Sequence, residues 1–359
     1  MKVLLLGEYS SLHRYLKEGL QKISGVEVEL YANGDGWKNI SGADGALFEW
    51  GKDKLGKVKT LTSALRTAKA FKNYDVVQII NPQIYPSLIN TKIIKKLKKN
   101  NKSISTVAAG YDYALLKAYN NFEFDYYMLQ YDNYLENFYS KDSFSGREKI
   151  KSEEKVIKMS DIIIPSLYEY TLGYKNESKL ANVIPFPINT DKIEYSDNVF
   201  GDKVVFFHGI NREEAKGTAF IRKALEKLKS DYPDEVEVII DGHMPFDKYV
   251  ELMKRTNVVI DQCCSYGYGI NACLAMAQGK VVMSGSRPET IAAFGVDKSP
   301  IFHIQPDIDQ IYKQLVYILE NKNNIGTWGI ESRKYVENTH NYIKVARQYI
   351  DAWKTIKGF

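Results

Sequence analysis

Apolar residues in this chain fall into short runs of strand length, separated by longer stretches in which they return every three or four positions. An unbroken apolar run of four to six residues is the pattern of a strand covered on both sides. The wider spacing is the pattern of a helix with one buried stripe. The runs predict strands at 2–6, 27–31, 76–80, 103–107, 161–164 and 182–184, then a second series at 203–207, 236–240, 257–260, 280–283 and 301–303. Helical spacing lies between them, at 12–23, 61–72, 86–99, 216–229, 246–255, 269–278, 307–320 and 340–356. Such alternation builds parallel sheets. It stops near Pro185 and Pro187, passes through a polar stretch, and restarts. The expected fold class is α/β, with two doubly wound, Rossmann-like parallel-sheet domains facing across a cleft. The expected boundaries are a first domain at 1–188, a linker at 189–202, a second domain at 203–338, and a C-terminal helix at 339–359 that packs back on the first domain. Ligands of doubly wound sheets bind beyond the carboxyl ends of the strands, so the loops after each strand carry the chemistry.

Composition narrows the class. The 359 residues are 44% hydrophobic and 26% charged, which fits a folded chain of about two domains. No apolar run approaches the ~18 residues that cross a bilayer. The start, Met1 to Glu8, reads as a buried strand rather than a signal peptide, so a cytoplasmic protein is expected. Cys263, Cys264 and Cys273 have no zinc-ligand spacing and form no disulfide framework. The net charge is +5, but residues 52–102 alone hold 13 basic residues against Asp53 and Asp75. That stretch reads first as a solvated helix face and second as a contact for an anionic membrane. No nucleic-acid motif is present, and no nucleic-acid partner is expected.

The sharpest segment is 257–289. A strand leads through Asp261 into Tyr266-Gly267-Tyr268-Gly269, which opens a helix of small residues that begins near Asn271 and stops at Gly279. A second strand then reaches Pro288-Glu289. Glycines ahead of a helix let backbone amides approach a ligand where the helix end is positive, an arrangement that suits a diphosphate.

This segment resembles the donor-binding signature of family 4 glycosyltransferases, which have the GT-B fold. His208-Gly209 with Arg212 and Lys216-Gly217 resembles the family's Gly-Arg…Lys-Gly loop, Val183 to Thr190 its entry to the linker, and Met1 to Gly7 its first strand and glycine turn. The resemblance implies a retaining transfer of a sugar from a nucleotide-diphosphate donor to a glycan or lipid-linked acceptor, in surface polysaccharide assembly, with no metal and no cofactor. It places Arg212 and Lys216 on the donor diphosphate as catalytic groups, and Glu289 at the sugar or phosphate edge. Gly209, His243, Tyr266, Gly267, Tyr268, Gly269 and Asn271 complete the donor site. Gly7, Tyr111 and Asp112 form the acceptor side, with Asp112 orienting the acceptor. Three positions depart from the pattern. Tyr266 and Leu274 stand where the family has two glutamates, and Ala109 stands where it often has a histidine. These departures keep two other readings open: a catalytically degenerate scaffold that binds a glycan or nucleotide, and a GT-B sugar-nucleotide epimerase. Residues 111–139 hold eight tyrosines beside several acids, which suits either a sugar-binding face or helical packing.

Overall fold

The computed structural model of the protein describes residues 1–35, 40–51, 53–242, 244 and 246–358. The chain divides into two compact units. The first holds Met1–Glu123, Tyr134–Asn189 and the segment from Tyr342 onward; the second holds Phe124–Asn133 and Thr190–Asn341.

In the first unit, β1 (Lys2–Leu6), β2 (Glu27–Tyr31), β3 (Val76–Ile79), β4 (Ser103–Ala108) and β5 (Ile162–Pro165) form one sheet in the order β2-β1-β3-β4-β5. Every pair is parallel, with Leu6 opposite both Tyr31 and Ile79. All residues of β3, β4 and β5 are buried, the polar Gln78, Ser103, Ser105 and Thr106 included. Leu4, Val77, Ile93 and Ile104 are among the core residues. The run 182–184 forms no strand. Ala181 and Ile184 donate to the carbonyls of Ile163 and Pro165, but Pro185 and Pro187 have no N–H with which to continue a ladder.

The C-terminal helix Tyr342–Lys354 packs against helix Leu12–Leu20 so closely that a Cβ on Gly19 would lie 2.2 Å from the Tyr342 carbonyl oxygen. It buries Trp353, whose Nε1–H donates to Gln78 Oε1 and Ser105 Oγ, each at 3.2 Å.

In the second unit, β6 (Val204–Ile210), β7 (Val236–Gly242), β8 (Val258–Ile260), β9 (Val281–Ser284) and β10 (Phe302–His303) form a second sheet, also parallel throughout, in the order β10-β9-β8-β6-β7. The polar stretch before β6 is docked rather than free. Asn198 and Asn257 exchange side-chain and backbone hydrogen bonds at 2.9 Å, and Arg333 donates to the carbonyls of Thr190 and Ile193.

Each sheet has one place where neighbouring strands send their following segments in opposite directions. It lies between β1 and β3 in the first unit and between β6 and β8 in the second. The crevice at such a point is where doubly wound sheets bind ligands.

Candidate functional site

At the β6/β8 switch point of the second unit the chain places a buried ion pair. Lys216, in the short helix Glu213–Lys216 after β6, reaches Asp261 Oδ1 and the Gly209 carbonyl, both at 3.0 Å. Asp261 is the first residue after β8, and both side chains are buried. Two of the three ammonium N–H groups therefore have protein acceptors, and the lysine charge is neutralised within the unit. His208, one residue before Gly209, joins β6 to β8. Its Nδ1 meets the Ile260 carbonyl at 2.8 Å and its Nε2 meets Thr218 Oγ1 at 2.9 Å. Burial holds its pKa down to about 4, so the ring is neutral at pH 7. Gly217 needs to be glycine. Its φ is +73°, and a Cβ there would lie 2.4 Å from Cys263 Sγ. Arg212 is exposed at the start of the same short helix.

Helix Ile270–Ala277 begins directly beyond Asp261. Gly269, at its N-cap, has an ordinary φ of −96°, and among the described residues the only atom within 4 Å of a Cβ built there is Asp261 Oδ2 at 3.8 Å. Among the described residues neither backbone strain nor a clash demands glycine at 269. What the glycine provides is space beside the helix start, where its own N–H donates to Asp261 Oδ2 at 3.5 Å. Gln262 Nε2 donates to the Gly267 carbonyl at 3.0 Å and fixes the loop. Asn271 is exposed on the first turn and Leu274 is half-buried. Tyr268 points the other way. Its ring is fully buried, with its hydroxyl 2.7 Å from Tyr335 Oη and 2.9 Å from His340 Nε2, so only its backbone belongs to the loop. His243 lies outside the described residues.

After β9 the chain returns to the glycine loop, where the Arg287 N–H donates to the Tyr266 carbonyl. The guanidinium stands 4.1 Å over the Tyr266 ring and pairs with Glu289 at 3.0 Å. Glu289 is thus half of an Arg–Glu pair. Arg287 also pairs with Asp125 at 2.6 Å, and the Tyr266 hydroxyl accepts the Asp125 N–H at 2.6 Å. Asp125 belongs to the ten residues 124–133 that leave the first unit's sequence to pack in the second.

In the first unit, the loop after β1 turns at Gly7, where φ is +86° and a Cβ would lie 2.5 Å from Ile80 Cγ2. Ser10 and Ser11 both have positive φ, a strained pair of a kind that clusters in functional loops. The Glu8 carboxylate accepts the N–H groups of His13 and Arg14 at the start of the next helix. Asn81, after β3, donates to the carbonyls of Ala109 and Tyr111 and ties the two loops together.

Asp112 does not present its carboxylate to an acceptor, contrary to expectation. It caps helix Tyr113–Asn120 through the Leu115 N–H at 2.7 Å, takes the Tyr174 hydroxyl at 2.7 Å, and is fully buried. Burial raises its pKa to about 6. Glu153 lies in the same interior, accepting the Tyr113 N–H at 2.9 Å and the Tyr139 hydroxyl at 2.5 Å. Asp261 and Arg287 have no role in the sequence reading, and Asp125 enters it only as one of the acids of 111–139. An acid placed directly after the apolar run of β8 was the available cue for the first.

Among the described residues no group of three or more His, Cys, Asp or Glu side chains is placed to hold a metal ion. Nor is any helix among them long and apolar enough to cross a membrane.

No protein-family model matches the chain, and no curated protein sequence does. Solved structures do. Sucrose-phosphate synthase from Thermosynechococcus elongatus superposes with a TM-score of 0.65 at 13% identity, over 99% of this chain and 98% of that one. HepE from Anabaena, solved with UDP and glucose, gives 0.64 at 12%, over 99% and 100%. UDP-GlcNAc 2-epimerase from Neisseria meningitidis, bound to UDP-GlcNAc, gives 0.54 at 13%, over 98% and 99%. The fold of this chain is the GT-B fold.

Proposed function

We propose that the protein is a glycosyltransferase that takes a sugar from a nucleoside-diphosphate donor, of the UDP-sugar type, and passes it with retention to a glycan or lipid-linked acceptor in surface polysaccharide assembly. The observation that carries this reading is the β6/β8 switch point. There space beside a helix N-terminus is kept by a glycine that, among the described residues, no strain or clash requires. Backbone amides at such a helix end receive phosphate oxygens. The fold shared with HepE and the epimerase, both solved with UDP or a UDP-sugar, supports the same site. In the transfer, an acceptor hydroxyl oxygen bonds to the anomeric carbon while the bond from that carbon to the diphosphate oxygen breaks. The acceptor proton leaves with the diphosphate. Arg212 is the cation proposed beside the diphosphate, without a metal, and Gly267 to Gly269 provide its amide cradle.

The test is incubation with UDP-, GDP- and ADP-sugars, measuring nucleotide release with and without acceptors, alongside Gly269→Ala. The substitution is expected to cost under about 1 kcal/mol of stability, the difference between glycine and alanine at an N-cap, while weakening nucleotide binding at least about tenfold, a loss of about 1.4 kcal/mol. Unchanged affinity in Gly269→Ala removes the loop from the site.

One observation favours a second reading. Lys216 is already neutralised by Asp261 and has little charge left for a departing diphosphate. A scaffold that holds a nucleotide sugar without transferring it fits that pair, and it predicts binding with no release. Conversion of the free donor sugar without acceptor marks an epimerase instead.

The acceptor side is proposed to rest on an anionic membrane through 52–102. In support, Trp50, Leu55 and Val58 are 73%, 81% and 57% exposed, beside exposed Lys57 and Lys59. Among the described residues three lysines of that region are otherwise engaged, Lys59 with Glu49, Lys98 with Asp161 and Lys102 with Asp75.

A further inference from the structure

Tyr266 stands where the resembling family has a glutamate, and its hydroxyl is occupied by the backbone of Asp125. Around that bond the segment 124–133 lies against the glycine loop as a strap. Phe124 and Tyr126 set their rings edge-on to Tyr266 at 5.6 and 5.2 Å, and Tyr131 meets Phe220 at 5.4 Å. The Asp125 carboxylate reaches Arg287 Nη1, yet its own side chain is 75% exposed.

We propose that Arg287 binds the anionic part of the donor and that Asp125 holds the place of that anion until the donor displaces it and lifts the strap. This rests on the nucleotide-sugar reading above. Three observations carry it. The guanidinium is fixed from below by the Tyr266 ring and from the side by Glu289, so it stays in place when Asp125 leaves. The Arg287 N–H is bonded to the Tyr266 carbonyl, in the same loop as Gly267 and Gly269. The Asp125 pair is solvent-exposed, and exposed ion pairs are weak, whereas diphosphate oxygens can take the arginine fork in paired, charge-assisted bonds. A carboxylate that holds the arginine loosely in the free protein is therefore replaced readily by a stronger anion. Tyrosine at 266 fits the same arrangement, because a glutamate there would offer no ring face to the guanidinium.

The experiment measures binding of UDP, GDP and ADP by calorimetry to wild type, Asp125→Asn, Arg287→Gln and the double variant. Hydrogen exchange of 124–133 is followed with and without nucleotide. Asp125→Asn is expected to bind about two- to fivefold tighter, the range an exposed ion pair covers. Arg287→Gln is expected to bind about tenfold or more weakly, with the double variant no tighter than Arg287→Gln. Exchange in 124–133 should rise when nucleotide is added. Unchanged or weaker binding by Asp125→Asn, or falling exchange in 124–133, overturns the proposal while leaving the donor-site reading intact. No binding by any variant removes both.

Discussion

The two units treat buried acids at the carboxyl ends of their strands in opposite ways. In the second, Asp261 faces an ammonium, Lys216, at 3.0 Å, and the pair is closed off from water. In the first, Glu8 after β1 and Asp112 after β4, together with Glu153 on helix Phe144–Met159, are buried against amides and phenols. Burial, as the largest influence, raises their pKa values to about 7, 6 and 8. The same architecture thus holds a charged lock in one half and carboxyls that favour their protons in the other. A buried charge with a partner is costly to break. A buried carboxyl that can take up a proton is not.

The largest expected effect comes from breaking the lock. Lys216→Met leaves Asp261 buried and unpaired, and the second unit should lose about 3–5 kcal/mol. Asp112→Asn keeps a capping side chain and the bond to Tyr174, and should cost the first unit under about 1 kcal/mol at pH 5. Hydrogen exchange read separately over each unit measures both. Equal losses in the two variants would mean that the distinction between the halves is wrong.

The pH dependence is next. Each of the three carboxyls binds its proton more tightly folded than unfolded. Between its ordinary value and the raised one, the folded state holds the extra proton, so stability falls as pH rises. The window runs from about pH 4 to about pH 8, and each pH unit by which a group is displaced corresponds to about 1.4 kcal/mol. Replacing Trp328 by phenylalanine leaves only tryptophans from the first unit's sequence, so fluorescence-detected urea unfolding then reports that half. Its midpoint should fall across the window. Glu153→Gln should flatten the upper part of the slope, and a midpoint that rises with pH contradicts the assignment.

A smaller effect separates the glycines. Gly7→Ala forces an L-residue to φ +86° against Ile80 and should cost about 1–3 kcal/mol, whereas Gly269→Ala, at an unstrained N-cap, should cost under about 1 kcal/mol. Thermal unfolding of the two variants compares them directly. The smallest effect concerns surfaces. Trp50→Ser with Leu55→Ser should reduce flotation with anionic liposomes at low salt. Each nearby lysine contributes about 1 kcal/mol to such binding, and salt screens it. No flotation at low salt would leave 52–102 a solvated face.

What the sequence disclosed follows from how local each feature is. Strand β1 falls at 2–6 as expected, because a covered parallel strand is written in five consecutive residues; β2, at 27–31, is the half-exposed edge strand, where Glu27 and Glu29 alternate with Val28 and Leu30. The cap at Asp112 was equally local, an acid just before a helix, and was read as chemistry because the resemblance placed it there. Lys216 matched a motif by spacing, yet its partner Asp261 lies 45 positions away, and no local pattern announces an ion pair at that separation. The strap was further out of reach. Asp125 meets Tyr266 and Arg287 across 141 and 162 positions, within a stretch whose many tyrosines read as a single patch.

The return of helix Tyr342–Lys354 to the first unit, with Trp353 closing over Gln78 and Ser105, has a consequence for synthesis. A ribosome that has made everything up to Asn341 has made the whole sequence of the second unit, but the first still lacks its final helix. Domains made early generally fold early; here the half begun first is finished last. The ten residues 124–133 work in the other direction, since the second unit waits for nothing that was not synthesised long before it. A cut at Asn189 therefore yields two fragments that each lack a piece of themselves. Co-expression of the two fragments, rather than either alone, is the way to recover the folded protein in parts.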